Sequence, residues 1–141
     1  MSGFSVIENF CYGLYAIAAM LRSDRFPITT DDNKKNVHPK VVADKFAGVF
    51  RDEPVTQKLS ALMGDQNYGT WKDMRNVLAH RASPGRHHSI TLTVGREAEH
   101  GPSLWRNSRL DEQVTVDGRR WLASTLRSLL HTAGNFTTTR F

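Results

Sequence analysis

Residues 68–86 read YGTWKDMRNVLAHRASPGR, from Tyr68 to Arg86, and the periodicity in this stretch decides how the rest of the chain is taken. At about 100° per residue, Trp71, Met74, Val77 and Leu78 fall within about a third of a helix circumference. Lys72, Asp73, Asn76 and His80 fall on the opposite side. Asn76 and His80 are four apart and stack as neighbours, while Arg75 lies on the flank. The spacing predicts an amphipathic helix ended by Pro84 and Gly85. Its apolar stripe is packed, and its polar side, with His80, faces outward.

Working outward, the other segments also read as helices. From Ser5 to Leu21, the residues Ile7, Phe10, Cys11, Leu14, Ile17, Ala18 and Leu21 recur at helical spacing, with Ser2 or Ser5 as N-cap. Tyr12, Tyr15 and Met20 widen the apolar surface beyond one stripe, so this helix is central or shared with a partner chain. It begins almost at Met1, which leaves room for a missing upstream segment. Ser23 to Pro39 has no periodicity and reads as a mobile polar loop. Pro39 suits a first helical position, and Val41, Val42, Lys45, Phe46, Val49 and Phe50 carry a second helix to about Asp52. Pro54 breaks it, and Val55 to Met63 continues as a short helix stopped by Gly64.

Downstream, Ile90, Leu92 and Val94 alternate with Thr91 and Thr93, which predicts a strand over His87–Gly95. A polar segment, Arg96–Glu112, separates it from a second short strand at Gln113–Val116. Asp117 then caps a last helix with Trp121, Leu122, Thr125, Leu126, Leu129 and Leu130 on one face, ended by Gly134 and Asn135. The expectation is an all-α fold: a single domain over 1–141, an up-and-down four-helix bundle with a small β-hairpin inserted before the last helix.

Composition fits one such domain. The chain has 141 residues, 39% of them hydrophobic, with net charge +5 and an isoelectric point near 9.7, so it carries enough apolar residues for a core and a mild attraction to polyanions such as RNA. Cys11 is the only cysteine, which excludes an intrachain disulfide framework and a four-cysteine metal site. The N-terminus lacks a basic n-region and holds Glu8 where a signal peptide would be apolar. The longest apolar run, Cys11 to Leu21, is far short of the ~20 residues that span a bilayer. The expected location is cytoplasmic, with no membrane partner.

Chemistry concentrates in the opening stretch. Arg can hold a phosphate with a planar fork, and His can move a proton near neutral pH. Arg75 and His80 lie about 140° apart around one helix. Two copies crossing could pool two Arg and two His in one cleft, a set sufficient for RNA cleavage without a metal. The run Arg75-Asn76-Val77-Leu78-Ala79-His80-Arg81 resembles the Arg-x4–6-His motif of the HEPN superfamily (higher eukaryotes and prokaryotes nucleotide-binding), down to the polar Asn76 after the arginine. The His-x-Tyr extension of one toxin group is absent, because Arg81 and Ala82 follow His80.

The resemblance implies a homodimer and a metal-independent endoribonuclease of toxin–antitoxin, abortive-infection or CRISPR type. It also implies a catalytic set of Arg75, Asn76 and His80, with Lys72, Arg81 and Arg86 as RNA-binding residues. No cofactor and no metal are expected. An antitoxin or a nucleotidyltransferase is the implied protein partner. Other members of the superfamily are inactive dimerisation or nucleotide- and RNA-binding modules, a reading that Arg81, Arg86 and Arg119-Arg120 fit equally well.

Other candidates are weaker. His87, His88 and His100 lack a carboxylate at ligand spacing, and adjacent histidines on a strand point to opposite faces. Asp111 and Glu112 make no acid/base pair. Cys11 reads as packing. Trp105, with Arg106 and Arg109, suits either RNA stacking or an anchored surface loop.

Overall fold

A computed structural model describes residues 3–79, 104–105, 108–109 and 112–141, with side chains at 5–73 and 112–141. Six helices occupy these residues. The first, α1 (Gly3–Leu21), buries Ile7, Cys11, Leu14, Tyr15 and Ala18. Burial, helped by the charge of Glu8, pushes the Cys11 thiol up to about 12, so it behaves as an inert apolar group at neutral pH.

The expected loop after α1 is a packed connection. Phe26 is fully buried, held by backbone bonds from Arg25 and Phe26 N–H to the Arg22 carbonyl at 3.0 Å. Tyr15 Oη donates to the Pro27 carbonyl at 3.1 Å. Lys45 Nζ donates to the Arg25 carbonyl at 2.7 Å and stands over the rings of Tyr15 and Phe26. A short helix, α2 (Asp31–Lys35), follows, capped by the Thr30 hydroxyl. Phe26, Ile28 and Val37 stand among polar residues at no regular spacing, which is why Phe26 was not legible as core.

Helix α3 (Pro39–Val49) and helix α4 (Pro54–Met63) both start with proline in the first turn, where the missing N–H costs nothing. Phe50 ends α3, and Gly64 ends α4. Buried Thr56 donates its hydroxyl to the Phe50 carbonyl at 2.6 Å, which fixes the turn between them. The two helices pack against each other and, through α3, on α1. Helix α5 (Gln66–Ala79) crosses α1 and α4, and helix α6 (Glu112–Thr138) lies along α4 and α1.

The expected four-helix bundle with an inserted hairpin is therefore corrected. Pro54 begins a separate helix, and α2 adds another. Gln113–Val116, read as a second strand, forms the first turns of α6. Its β-branched alternation is outweighed by helical pairing: Gln113 Nε2 donates to Asp117 Oδ1 at 2.9 Å, and Arg120 pairs with Asp117 at 3.6 Å. Asp117 is thus interior to the helix, not its cap. The proposed partner strand, His87–Gly95, lies outside the described residues. The one extended pairing among them is a two-residue bridge, β1 (Leu104–Trp105) against β2 (Ser108–Arg109), within the segment read as polar loop. No helix of the described residues is long and apolar enough to cross a membrane.

The last helix also outruns its expected stop. Gly134 and Asn135 are passed, and Ala133 and Phe136 continue the buried stripe while Leu130 is 60% exposed. Phe136 closes an aromatic cluster, 5.1 Å from Phe50 and 5.7 Å from Phe46, and Phe26 stands 5.4 Å from Phe46. Phe136→Ala is expected to cost about 3–5 kcal/mol in urea unfolding. Leu130→Ala should cost less than about 1 kcal/mol. The reverse ranking would remove the last turns of α6 from the core.

Candidate nucleic-acid interface

The helix that carries Arg75 and Asn76 starts at a cap the sequence reading did not single out. Asp65 Oδ1 accepts from the backbone N–H of Asn67 at 2.7 Å and of Tyr68 at 3.1 Å. A carboxylate here satisfies two orphan donors of the first turn and opposes the positive end of the helix dipole. The second oxygen, Oδ2, accepts from Trp121 Nε1 at 3.2 Å. One side chain therefore both starts α5 and ties it to α6. Tyr68 is buried on the inner side, and burial, with smaller contributions from Cys11 and Glu8, pushes its hydroxyl up to about 12.

Trp71 packs partly buried against the core on the bare backbone of Gly118. A Cβ at Gly118 would stand 2.8 Å from Trp71 Cε2 and closer still to Cζ2. Only glycine admits the indole at this depth. Lys72 and Asp73, the next two residues, are exposed, as the helical wheel requires. Arg75 and Asn76 lie on the helical backbone of α5, which runs to Ala79; their side chains are outside the described residues. His80, Arg81 and Arg86 also lie outside them. Lys72, Arg75 and Asn76 are thus placed on one helix.

Beside this helix lies a cavity of about 210 Å³ between α1, α5 and α6. Ile7, Trp71, Gly118, Arg119, Trp121 and Leu122 line it. Trp71 and Trp121 bring two indoles to one space, and both are fixed from behind, Trp71 by Gly118 and Trp121 by Asp65. Arg119 lines the cavity and is exposed. It has no ion pair among the described residues, whereas its neighbour Arg120 pairs with Asp117. A second recess of about 350 Å³ lies at the α3–α4 turn and holds Arg22, Arg51, Asp52, Glu53 and Arg140. Two of its three arginines are paired: Arg140 with Glu53, and Arg22 with Asp24, whose carboxyl it holds below its ordinary value. Among the described residues no group of His, Cys, Asp and Glu is arranged to hold a metal ion.

Asp65, Gly118 and the indole N–H of Trp121 are the neighbours of the candidate site missed from the sequence. Two signals pointed to them: an Asp three residues before the first packed residue of α5, and an isolated Gly inside a helical pattern. No family model, curated protein or solved structure matches the chain.

Two glycines of α6 separate close approach from propensity. Gly134 has nothing within 4 Å of an added Cβ, so Gly134→Ala should gain about 0.5–1 kcal/mol. Gly118→Ala should instead lose about 1–3 kcal/mol through overpacking and shift the tryptophan emission. Equal gains at both positions would mean that Trp71 does not rest on Gly118.

Proposed function

We propose that the chain is a metal-independent endoribonuclease acting as a homodimer, of the toxin or defence type, in the HEPN manner. Arg75 holds the scissile phosphate, His80 transfers the proton, and Asn76 orients either group. The 2′-hydroxyl oxygen attacks the adjacent phosphorus as its proton passes to one histidine. The bond to the 5′-oxygen breaks, and that oxygen takes a proton from the second copy's His80. The products are a 2′,3′-cyclic phosphate and a 5′-hydroxyl. Lys72, Arg81 and Arg86 attract the strand through its phosphates. A cytoplasmic location and an antitoxin or nucleotidyltransferase partner go with this reading.

The observation that supports it is the exposure of Lys72 and Asp73 opposite the packed Trp71, the side to which helical spacing assigns Asn76 and His80. The second reading is a non-catalytic RNA- or nucleotide-binding module, and the cavity flanked by Trp71 and Trp121 favours it. Labelled RNA incubated in EDTA with wild type and His80→Ala separates the two. The enzyme reading expects cleavage by wild type and a loss of at least about 100-fold in His80→Ala, with unchanged unfolding. Cleavage by His80→Ala at the wild-type rate contradicts it, and salt-sensitive binding without product supports the second reading.

A further inference from the structure

We infer that the cavity between α1, α5 and α6 is a binding subsite for the nucleobase of a nucleotide, with Arg119 taking its phosphate. Three features carry this. First, the cavity is lined by two indoles, and a base stacked on an aromatic ring is held through its π-face whatever its identity. Second, both rings are held before any ligand arrives. Trp121 donates to Asp65 at 3.2 Å, and Trp71 lies in the gap that only Gly118 leaves open, so little ordering entropy is lost on binding. Third, the mouth carries an exposed guanidinium, Arg119, without an ion pair among the described residues. A planar cation of this kind accepts a phosphate through paired hydrogen bonds.

Size and chemistry narrow the occupant. At about 210 Å³ the space is below the ~300–1000 Å³ of drug-sized ligand sites, which suits one ring system and excludes a helix or an extended peptide. The lining is mainly apolar, with few hydrogen-bonding groups to read a base edge. Selection is therefore by stacking area, purine over pyrimidine, with little discrimination between the purines. Trp71 precedes Arg75 by four residues, about one helical turn. A base held against Trp71 lies one turn of α5 from the residue proposed to hold the scissile phosphate, so the subsite positions a nucleotide flanking the cleaved bond.

The identity of the ligand rests on the RNA reading, but its binding does not depend on cleavage. The experiment titrates the full chain with adenosine 5′-monophosphate, which has no internucleotide linkage to cut, and follows the indole N–H resonances of Trp71 and Trp121. Ribose 5-phosphate and adenosine serve as the base-free and phosphate-free arms. The subsite predicts that the monophosphate shifts both resonances and that ribose 5-phosphate shifts neither. Arg119→Glu, at an exposed position, should weaken the monophosphate about tenfold or more while leaving adenosine within about twofold. The proposal is overturned if millimolar monophosphate leaves both indoles unmoved, if ribose 5-phosphate binds as well as the monophosphate, or if Arg119→Glu weakens the monophosphate and adenosine alike. Cleavage of RNA without monophosphate binding removes the subsite and leaves the enzyme reading intact; binding without RNA cleavage does the opposite.

Discussion

Phe136 fixes the long helix α6 at its far end, and the site depends on that anchor. Its ring packs 5.1 Å from Phe50 and 5.7 Å from Phe46, and Arg140 lies over Phe50 and Phe136 while pairing with Glu53. The cluster joins the α3–α4 turn, the packed connection through Phe26, and the last turns of the chain. Gly118 sits eighteen residues before Phe136, about 27 Å along the helix at 1.5 Å per residue. Aromatic packing at one end of α6 thus sets where Gly118 and Trp121 meet α5 at the other.

The described residues of α5 hold it through contacts that each have a separate cause. Asp65 ends the orphan donors of its first turn and bonds Trp121. Tyr68 is buried, and Trp71 rests on Gly118. At Lys72 and Asp73 the helix turns charged residues to solvent. Such an arrangement fixes the root of the helix and leaves Lys72 in solvent, which is the physical basis for proposing function here and not in the recess where Arg22 and Arg140 are paired.

Legibility in the sequence followed locality. The periodic stripe of α1, the proline opening α3, the break at Pro54 and Gly64 closing α4 act through neighbours in the chain, so pattern alone found them. The wheel of α5 likewise placed Trp71 inward and Lys72 and Asp73 outward. Features set by distant partners were missed. Phe26 is core because Phe46 and Tyr15 meet it. Gln113–Val116 is a different miss: its pairing with Asp117 is local, and β-branched alternation masked it. Gly134 and Asn135 do not stop α6, because burial of Phe136 outweighs their weak helix propensity. At the site, the motif was legible as spacing, whereas the Gly118 approach and the Asp65 bridge to Trp121 exist only once α5 and α6 are packed together.

Chemistry proposed for Arg75 and His80 makes one atom indispensable, the 2′-oxygen of the nucleotide before the cut. Replacing that single 2′-hydroxyl by hydrogen, in an RNA otherwise unchanged and in EDTA, tests the account most directly. The account predicts that wild-type protein cuts the all-ribose strand to a 2′,3′-cyclic phosphate and leaves the substituted linkage whole. Cleavage of both linkages at similar rates, or of neither strand, would contradict it.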